Sequence, residues 1–377
     1  MNNINDIDDL NLTAAEYYMQ ECFELAKGGL GFTSPNPVVG AIVLDKNGMP
    51  VGKGYHKKAG TEHAEVLAIK EAGKLASGGT LIVNLEPCCH HGRTPPCTDL
   101  IIKSSIKEVI FSNYDPNPLI NKKSEKILLE NNIKVLKNVL EKEGFELNRF
   151  FFKWIKSKLP WITLKQAQTL DGKVALSAGH SKWITGEDSR REVHKLRNIY
   201  DAVLIGASTV KNDDPQLTVR GIENSRNPAR VILDPDLITD PRSKVYEDSA
   251  LVILATKVEH IKEKLNKYLA VNEKITILQL ESFDSKLNLN QLFLELGKKE
   301  IVSVFVEAGP TLASELVLNN LVDEYILFIS PQIFGDVKAI PTFKMNDLQS
   351  IDKSYKLKIF NHKVIGNDLM LLLRPEI

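Results

Sequence analysis

His63-Ala64-Glu65 and the downstream run Glu86-Pro87-Cys88-Cys89-His90-His91-Gly92-Arg93-Thr94-Pro95-Pro96-Cys97 decide how this chain is read. One imidazole (His63) and two thiols (Cys88 and Cys97) make the donor set of a tetrahedral zinc with one open position. Glu65 stands two residues from His63, a spacing at which helical side chains do not face each other. It is therefore a poor co-ligand, but it can reach the same cavity if the helix N-terminus points there, and so act as the catalytic proton carrier. Histidine, carboxylate, proline and both thiols in this order form the signature of zinc enzymes that remove amines hydrolytically from nitrogen heterocycles. The competing reading is a closed structural zinc site with Cys89, His90 or His91 as fourth ligand.

Working outward, the composition is that of ordinary globular protein. The chain has 377 residues, 43% hydrophobic and 25% charged, enough for two domains with separate cores. Its formal net charge is zero, so no global field draws it to nucleic acid or to an anionic membrane. No apolar run approaches the roughly 18 residues of a membrane span. The first ten residues are Asn/Asp-rich and lack a charged-then-apolar pattern, so a cytoplasmic protein is expected. The clustered thiols favour metal or catalysis over a disulfide framework, and Cys22, within an amphipathic helix, reads as a small buried hydrophobe.

Strands and helices alternate, which predicts α/β architecture throughout. Helices are expected at 13–27, at 62–72 with Thr61 as N-cap, from Pro95-Pro96 onward, and at 121–131. Strands are expected at 38–45, 50–56, 80–85, 107–112 and 133–136, the first two joined at Asn47-Gly48. A boundary is placed near 150–160, giving domains 1–150 and 160–377, with the aromatic run at 150–154 packed between domains or onto the second core. Beyond it, strands are expected at 161–167, 201–206, 229–234, 250–255, 274–278, 302–307 and 325–330, with helices at 187–198, 289–298 and 311–319. The strand at 302–307 runs through Ala308-Gly309-Pro310-Thr311 into a helix, which is either an ordinary tight connection or a turn whose N–H groups hold a pyrophosphate.

Pro35-Asn36-Pro37-Val38-Val39-Gly40, the zinc motif and Asp115-Pro116-Asn117-Pro118 closely resemble the bifunctional riboflavin-biosynthesis deaminase/reductase family. In the second half, the run from Lys165 to Lys173, Ser181-Lys182-Trp183-Ile184-Thr185, Asp213-Asp214-Pro215, Leu217-Thr218-Val219-Arg220 and Glu307-Ala308-Gly309-Pro310-Thr311 do likewise. The resemblance implies an α/β chain with an N-terminal cytidine-deaminase-like three-layer sandwich and a C-terminal domain similar to dihydrofolate reductase. It implies deamination of 2,5-diamino-6-ribosylamino-4(3H)-pyrimidinone 5′-phosphate, then NADPH-dependent reduction of the ribosyl to a ribityl chain. Zinc and NADPH are the cofactors so implied, and the partners are a phosphorylated pyrimidine and a second copy of the chain, not nucleic acid or membrane.

Carried over by position, Ala167, Trp183, Thr209, Asp213, Gly309, Pro310 and Thr311 would line the NADPH site. Ser181, Arg197, Leu217, Arg220 and Glu307 would contact the substrate, with the two arginines as phosphate clamps. In the first domain, Asn36 presents an amide in a rigid turn, His56 is similar to a family substrate-binding histidine, and Arg93 suits a phosphate because a guanidinium makes forked, charge-assisted bonds. Two departures stand out: Cys89 takes a position where the family often has serine, and no glycine follows Pro118 where a glycine-containing turn is usual. Two other readings compete: a deaminase with an inactive second domain, and a nucleic-acid-binding zinc module, against which neutral charge speaks.

Overall fold

The computed structural model describes residues 13–90, 95–178, 184–247, 250–259, 262–284, 286–345 and 349–376. The chain divides into two compact units, with the division between Lys158 and Leu159.

In the first unit, Thr13 opens α1 (Ala14–Lys27) with a reciprocal cap: its hydroxyl accepts the Glu16 N–H and the Glu16 carboxylate accepts the Thr13 N–H. There follow β1 (Gly40–Leu44), β2 (Pro50–Tyr55), α2 (Ala64–Ala72), β3 (Thr80–Leu85), α3 (Cys97–Lys103), β4 (Glu108–Asn113), α4 (Lys123–Glu130), β5 (Lys134–Leu136), α5 (Glu141–Leu147) and α6 (Arg149–Ser157). The sheet order is β2-β1-β3-β4-β5, with β1 antiparallel to both neighbours and β3, β4 and β5 parallel.

Period-two alternation sends Ala41, Val43, Leu81, Val83, Val109 and Phe111 to one face, against Ala64, Ala68 and Ala72 of α2, Ile101 of α3 and Leu128 of α4. Ile42, Leu44, Ile82 and Ile110 face the other way, onto Met19, Cys22 and Phe23 of α1. The unit is a three-layer sandwich. Cys22 is a buried core thiol, as expected.

Two details place the ends of α2 and α6. Gly52 and Gly54 alternate along β2 beneath α2, where an added Cβ would come within 2.2 Å of the Ala68 carbonyl oxygen and 2.8 Å of that of Ala64. The helix therefore lies in close contact with the sheet. Phe151 and Phe152 of α6 pack with Leu85 and Val39. These two aromatics complete the first unit's core, which corrects their expected place at a domain boundary or in the second core.

The second unit is built on β6 (Trp161–Thr169), β7 (Ala202–Gly206), β8 (Ala229–Leu233), β9 (Val252–Lys257), β10 (Ile275–Leu280), β11 (Ser303–Glu307), β12 (Glu324–Ser330), β13 (Leu357–Ile365) and β14 (Asp368–Pro375). They form one sheet in the order β10-β9-β8-β7-β11-β6-β12-β14-β13, parallel as far as β12 and antiparallel across β14 and β13. Helices α7 (Glu187–Ile199), α8 (Ala207–Asp213), α9 (Lys262–Leu269), α10 (Leu289–Lys298) and α11 (Pro310–Leu318) accompany it. The central strands are apolar and almost wholly buried, with Val203, Leu204, Ile205, Val304, Phe305 and Val306 at 0% exposure, because both faces are covered. Parallel strands also bring the carboxyl ends of β6, β7 and β11 to one edge, where α/β sheets commonly bind ligands.

Residues 114–122 connect β4 to α4 without the glycine-containing turn usual in the family. Lys122 itself adopts the left-handed conformation, φ 60° and ψ 0°, and donates its N–H to Glu86 Oε2 at 3.1 Å. A side chain in that region costs roughly 1–2 kcal/mol. Lys122→Gly should therefore stabilise the first unit by about 1 kcal/mol, seen as a higher urea midpoint; an unchanged or lower midpoint would contradict this account.

Candidate active sites

His63 is the N-cap residue of α2, extended at φ −72° and ψ 159° and making no side-chain cap. The expected cap, Thr61, instead donates its hydroxyl to the Lys58 carbonyl at 2.7 Å, so the helix begins later than predicted. This frees the imidazole, whose Nδ1 lies 3.5 Å from Cys88 Sγ, in the loop leaving β3, and 3.3 Å from Cys97 Sγ, at the first residue of α3. All three donor atoms fall within 4.8 Å of one another. Tetrahedral zinc with the usual bond lengths requires N···S near ~3.6 Å and S···S near ~3.8 Å, so this donor set fits the ion.

Cys89 and His90 do not belong to the cluster; the Cys89 thiol points to the Leu119 carbonyl at 3.9 Å. His91 lies outside the described residues. Among the described residues three ligands converge, which favours an open site over a closed structural one. Cys97 N–H donates to Cys88 Sγ at 3.3 Å. The Cys88 thiol is drawn down to about 4, first by its hydrogen bond with Cys97 and also by His63, so it is ready to ligate as thiolate.

Glu65 is the second residue of α2 and only 4% exposed. Burial, and then the neighbouring Cys88, push its carboxyl above the usual range. His56 is also buried, with Nδ1 3.1 Å from the Glu62 carbonyl and its ring edge-on to His63 at 5.6 Å. Burial lowers its pKa, which keeps the ring neutral, and Nε2 finds no partner among the described residues. Asn36 is exposed, with its backbone N–H on the Thr33 carbonyl at 2.8 Å. Arg93 lies outside the described residues, as do Ser181 and Trp183 in the second unit.

At the carboxyl ends of β6, β7 and β11, the second unit opens a cavity of about 470 Å³. Ala167, Thr209, Asp213, Gly309 and Pro310 line it, as do Arg197, Arg220 and Glu307. Two other predicted residues do not. Leu217 is buried with φ 55°, and Thr311 is exposed on α11. Arg197 forms a two-pronged ion pair with Glu307, Nε–Oε1 2.6 Å and Nη2–Oε2 3.0 Å, and gives Nη1 to the Thr218 carbonyl at 3.2 Å. Burial raises the Glu307 carboxyl, but Arg197 and Lys165 more than offset it and hold it below the usual range. Gly309, the N-cap of α11, has φ −71°, and a Cβ added there would meet nothing within 4 Å.

A family model of the cytidine and deoxycytidylate deaminase zinc-binding region matches residues 12–113, and one of the RibD C-terminal domain matches residues 160–371. The riboflavin biosynthesis protein RibD of Aquifex aeolicus is 43% identical over 359 residues, 95% of this chain and 97% of that protein. The chain belongs to the RibD family. It is a riboflavin-biosynthesis deaminase and reductase with both domains in one polypeptide. Among solved structures, Acinetobacter baumannii RibD (form 1) superposes with a TM-score of 0.88 at 35% identity, covering 97% of this chain and 99% of that one. The Thermotoga maritima diaminohydroxyphosphoribosylaminopyrimidine deaminase/5-amino-6-(5-phosphoribosylamino)uracil reductase gives 0.84 at 38% identity, covering 96% and 99%. The cytidine-deaminase-like sandwich and RibD-type reductase fold expected from sequence are those of this RibD-family chain.

Two residues near the sites were given no role by the sequence reading. Glu86, buried beside Cys88, accepts the N–H groups of Asp115 and Lys122, while the Ser124 hydroxyl donates to the Pro87 carbonyl at 2.5 Å. Lys165 faces the cavity with Nζ 5.8 Å from the Phe328 ring, its pKa lowered by burial against the opposing charge of Glu307. Neither residue carries a local sequence signal of such a place: Lys165 stands midway along β6, between Leu164 and Gln166. About one zinc per chain is expected by metal analysis, and Cys88→Ser should lose most of it; full metal content in that variant would exclude Cys88 as a ligand.

Proposed function

We propose that His63, Cys88 and Cys97 hold zinc, that Glu65 carries the protons of a hydrolytic deamination, and that the second unit's cavity reduces the product. The convergence of three donors beside a buried carboxylate carries this reading. Zinc held there acidifies water, supplying a nucleophile at neutral pH. With zinc bound, Glu65, whose carboxyl burial keeps above the usual range, would be placed to hold the proton released there and to pass it to the departing amine, a role worth roughly 10²–10⁴ in rate. A C–N bond is exchanged for C–O, and ammonia leaves. The unpaired Nε2 of neutral His56 accepts from an N–H or O–H of the substrate, Asn36 meets the pyrimidine edge, and Arg93 takes the phosphate.

The substrate proposed is 2,5-diamino-6-ribosylamino-4(3H)-pyrimidinone 5′-phosphate, supported by the name borne by the Thermotoga maritima relative. Its deaminated product then has its ribosyl reduced to ribityl. NADPH bound there would supply the hydride to C1′ once the ribosyl ring has opened to its imine form, with a proton from solvent completing the two-hydrogen gain. Ala167, Thr209, Asp213, Gly309 and Pro310 border its place, and Trp183 and Thr311 are the further contacts the resemblance assigns to it. Arg197 aims Glu307, which remains ionised and can accept hydrogen bonds from ribosyl hydroxyls. Since two Arg197 donors are so engaged, Arg220, Ser181 and the Leu217 backbone carry more of the phosphate than the sequence reading assigned.

We also propose a second copy of the chain as partner, supported by the edge strand β13, where Ile359 is 59% and Val364 73% exposed. A monomer in light scattering would overturn that. A cytoplasmic location, without membrane or nucleic-acid partners, is the accompanying proposal; among the described residues no helix is long and apolar enough to cross a membrane.

Mass spectrometry of the diaminopyrimidinone phosphate incubated with the enzyme should show amine replaced by oxygen, and two hydrogens gained only when NADPH is added. Glu65→Gln should keep zinc and the reductase step but lose deamination by roughly 10²-fold or more; near-normal turnover would remove Glu65 as proton carrier. Gly309→Ala should fold normally, because its backbone and surroundings admit a Cβ, yet raise KM for NADPH about tenfold by filling cofactor space. An unchanged KM would place the cofactor elsewhere.

A further inference from the structure

Asn148 stands between α5 and α6, in the stretch between the two family matches. An asparagine at a helix start ordinarily caps the helix, but this one makes no side-chain cap. Its amide is spent elsewhere: Oδ1 accepts the Val38 N–H at 2.8 Å and Nδ2 donates to the Val38 carbonyl at 3.0 Å. Asn148 is 3% exposed. Fully buried Asn84 donates to the same carbonyl at 3.0 Å and accepts the Gly40 N–H at 2.8 Å. From another direction, the Val39 carbonyl accepts the His56 N–H at 2.8 Å.

Val38 directly follows Pro35-Asn36-Pro37, and β1 begins only at Gly40. The two prolines contribute no N–H, so the turn's own backbone offers little to hold it. Asn148 acts as a one-residue strand partner at the turn's exit. An apolar side chain could fill the same core space, but would leave the Val38 N–H unpaired in a buried setting. We infer that Asn148 is a positioning residue of the deamination site, fixing Val38 and through it the Asn36 turn. This rests on the proposed reading of Asn36 as a substrate contact.

The test uses the full-length, zinc-loaded protein with Asn148→Asp, Asn36→Ala and the double variant. Each is assayed for deamination kcat and KM, zinc content, and reduction of the deaminated substrate. Asn148→Asp keeps the acceptor but sets a carboxylate against the Val38 carbonyl. It should raise deamination KM about tenfold, with kcat changed less than about threefold and zinc and reductase activity unaltered. The double variant should be no worse than Asn36→Ala, since both changes remove the same positioned amide. If Asn36→Ala raises KM while Asn148→Asp does not, or if the two effects multiply, the positioning role falls and the Asn36 reading stands. If Asn36→Ala leaves KM unchanged, the Asn36 reading falls and the positioning role with it. Parallel loss of zinc, deamination and reduction in Asn148→Asp would make the residue a folding determinant and overturn the inference.

Discussion

His63 Nδ1, Cys88 Sγ and Cys97 Sγ must meet around a space the size of one ion, and the first unit is organised by that constraint. Each donor sits at the end of an element: the N-cap of α2, the exit of β3, and the first residue of α3. Element ends carry unsatisfied N–H groups, and one of them, from Cys97, already meets the Cys88 sulfur. Ends also fray unless something holds them. Here α2 is held by its contact with Gly52 and Gly54, and the Cys88 loop by Ser124 on Pro87 and by Glu86 on the Asp115 and Lys122 N–H groups.

The second unit depends on a different kind of contact. Arg197 and Glu307 are both largely removed from solvent, so their pairing is set against a heavy desolvation cost. Such a pair is weak evidence for stability, and its place at the cavity edge gives it a better explanation. It fixes a carboxylate at the carboxyl end of β11, in reach of whatever enters, and keeps that carboxylate ionised despite burial. The same geometry redistributes the anion-binding work assigned to Arg197, because all three of its nitrogens already donate, two to Glu307 and one to the Thr218 carbonyl.

Much of this was legible in the sequence, for identifiable reasons. The convergence of His63, Cys88 and Cys97, the burial of Glu65 and the alternating core of the first unit follow from local spacing and period-two hydrophobicity, which survive without knowledge of tertiary contacts. The edge strand β13 did not, because Leu357–Ile365 is exposed along most of its length and has no buried face to impose alternation. Thr61 looked like a cap, yet its hydroxyl turns to the Lys58 carbonyl and His63 takes the helix boundary. Glu86, Lys165 and Asn148 carry no local signal of their roles. Asn148 lies 110 residues from Val38, and nothing short of the folded chain pairs them.

Glycine illustrates the same limit, because the residue type alone does not say which physical demand it meets. Gly52 and Gly54 exist to let a helix approach a strand, and a Cβ at either would collide with backbone. Gly309 has ordinary φ and open space where its side chain would be, so neither packing nor conformation explains it. At Lys122 the backbone takes a glycine-type conformation without glycine, compensated by the Glu86 carboxylate on its N–H. A missing glycine in the motif therefore does not exclude a glycine-type conformation in this loop. The conformation is imposed by the partners around it, and residue choice at that position adjusts its cost.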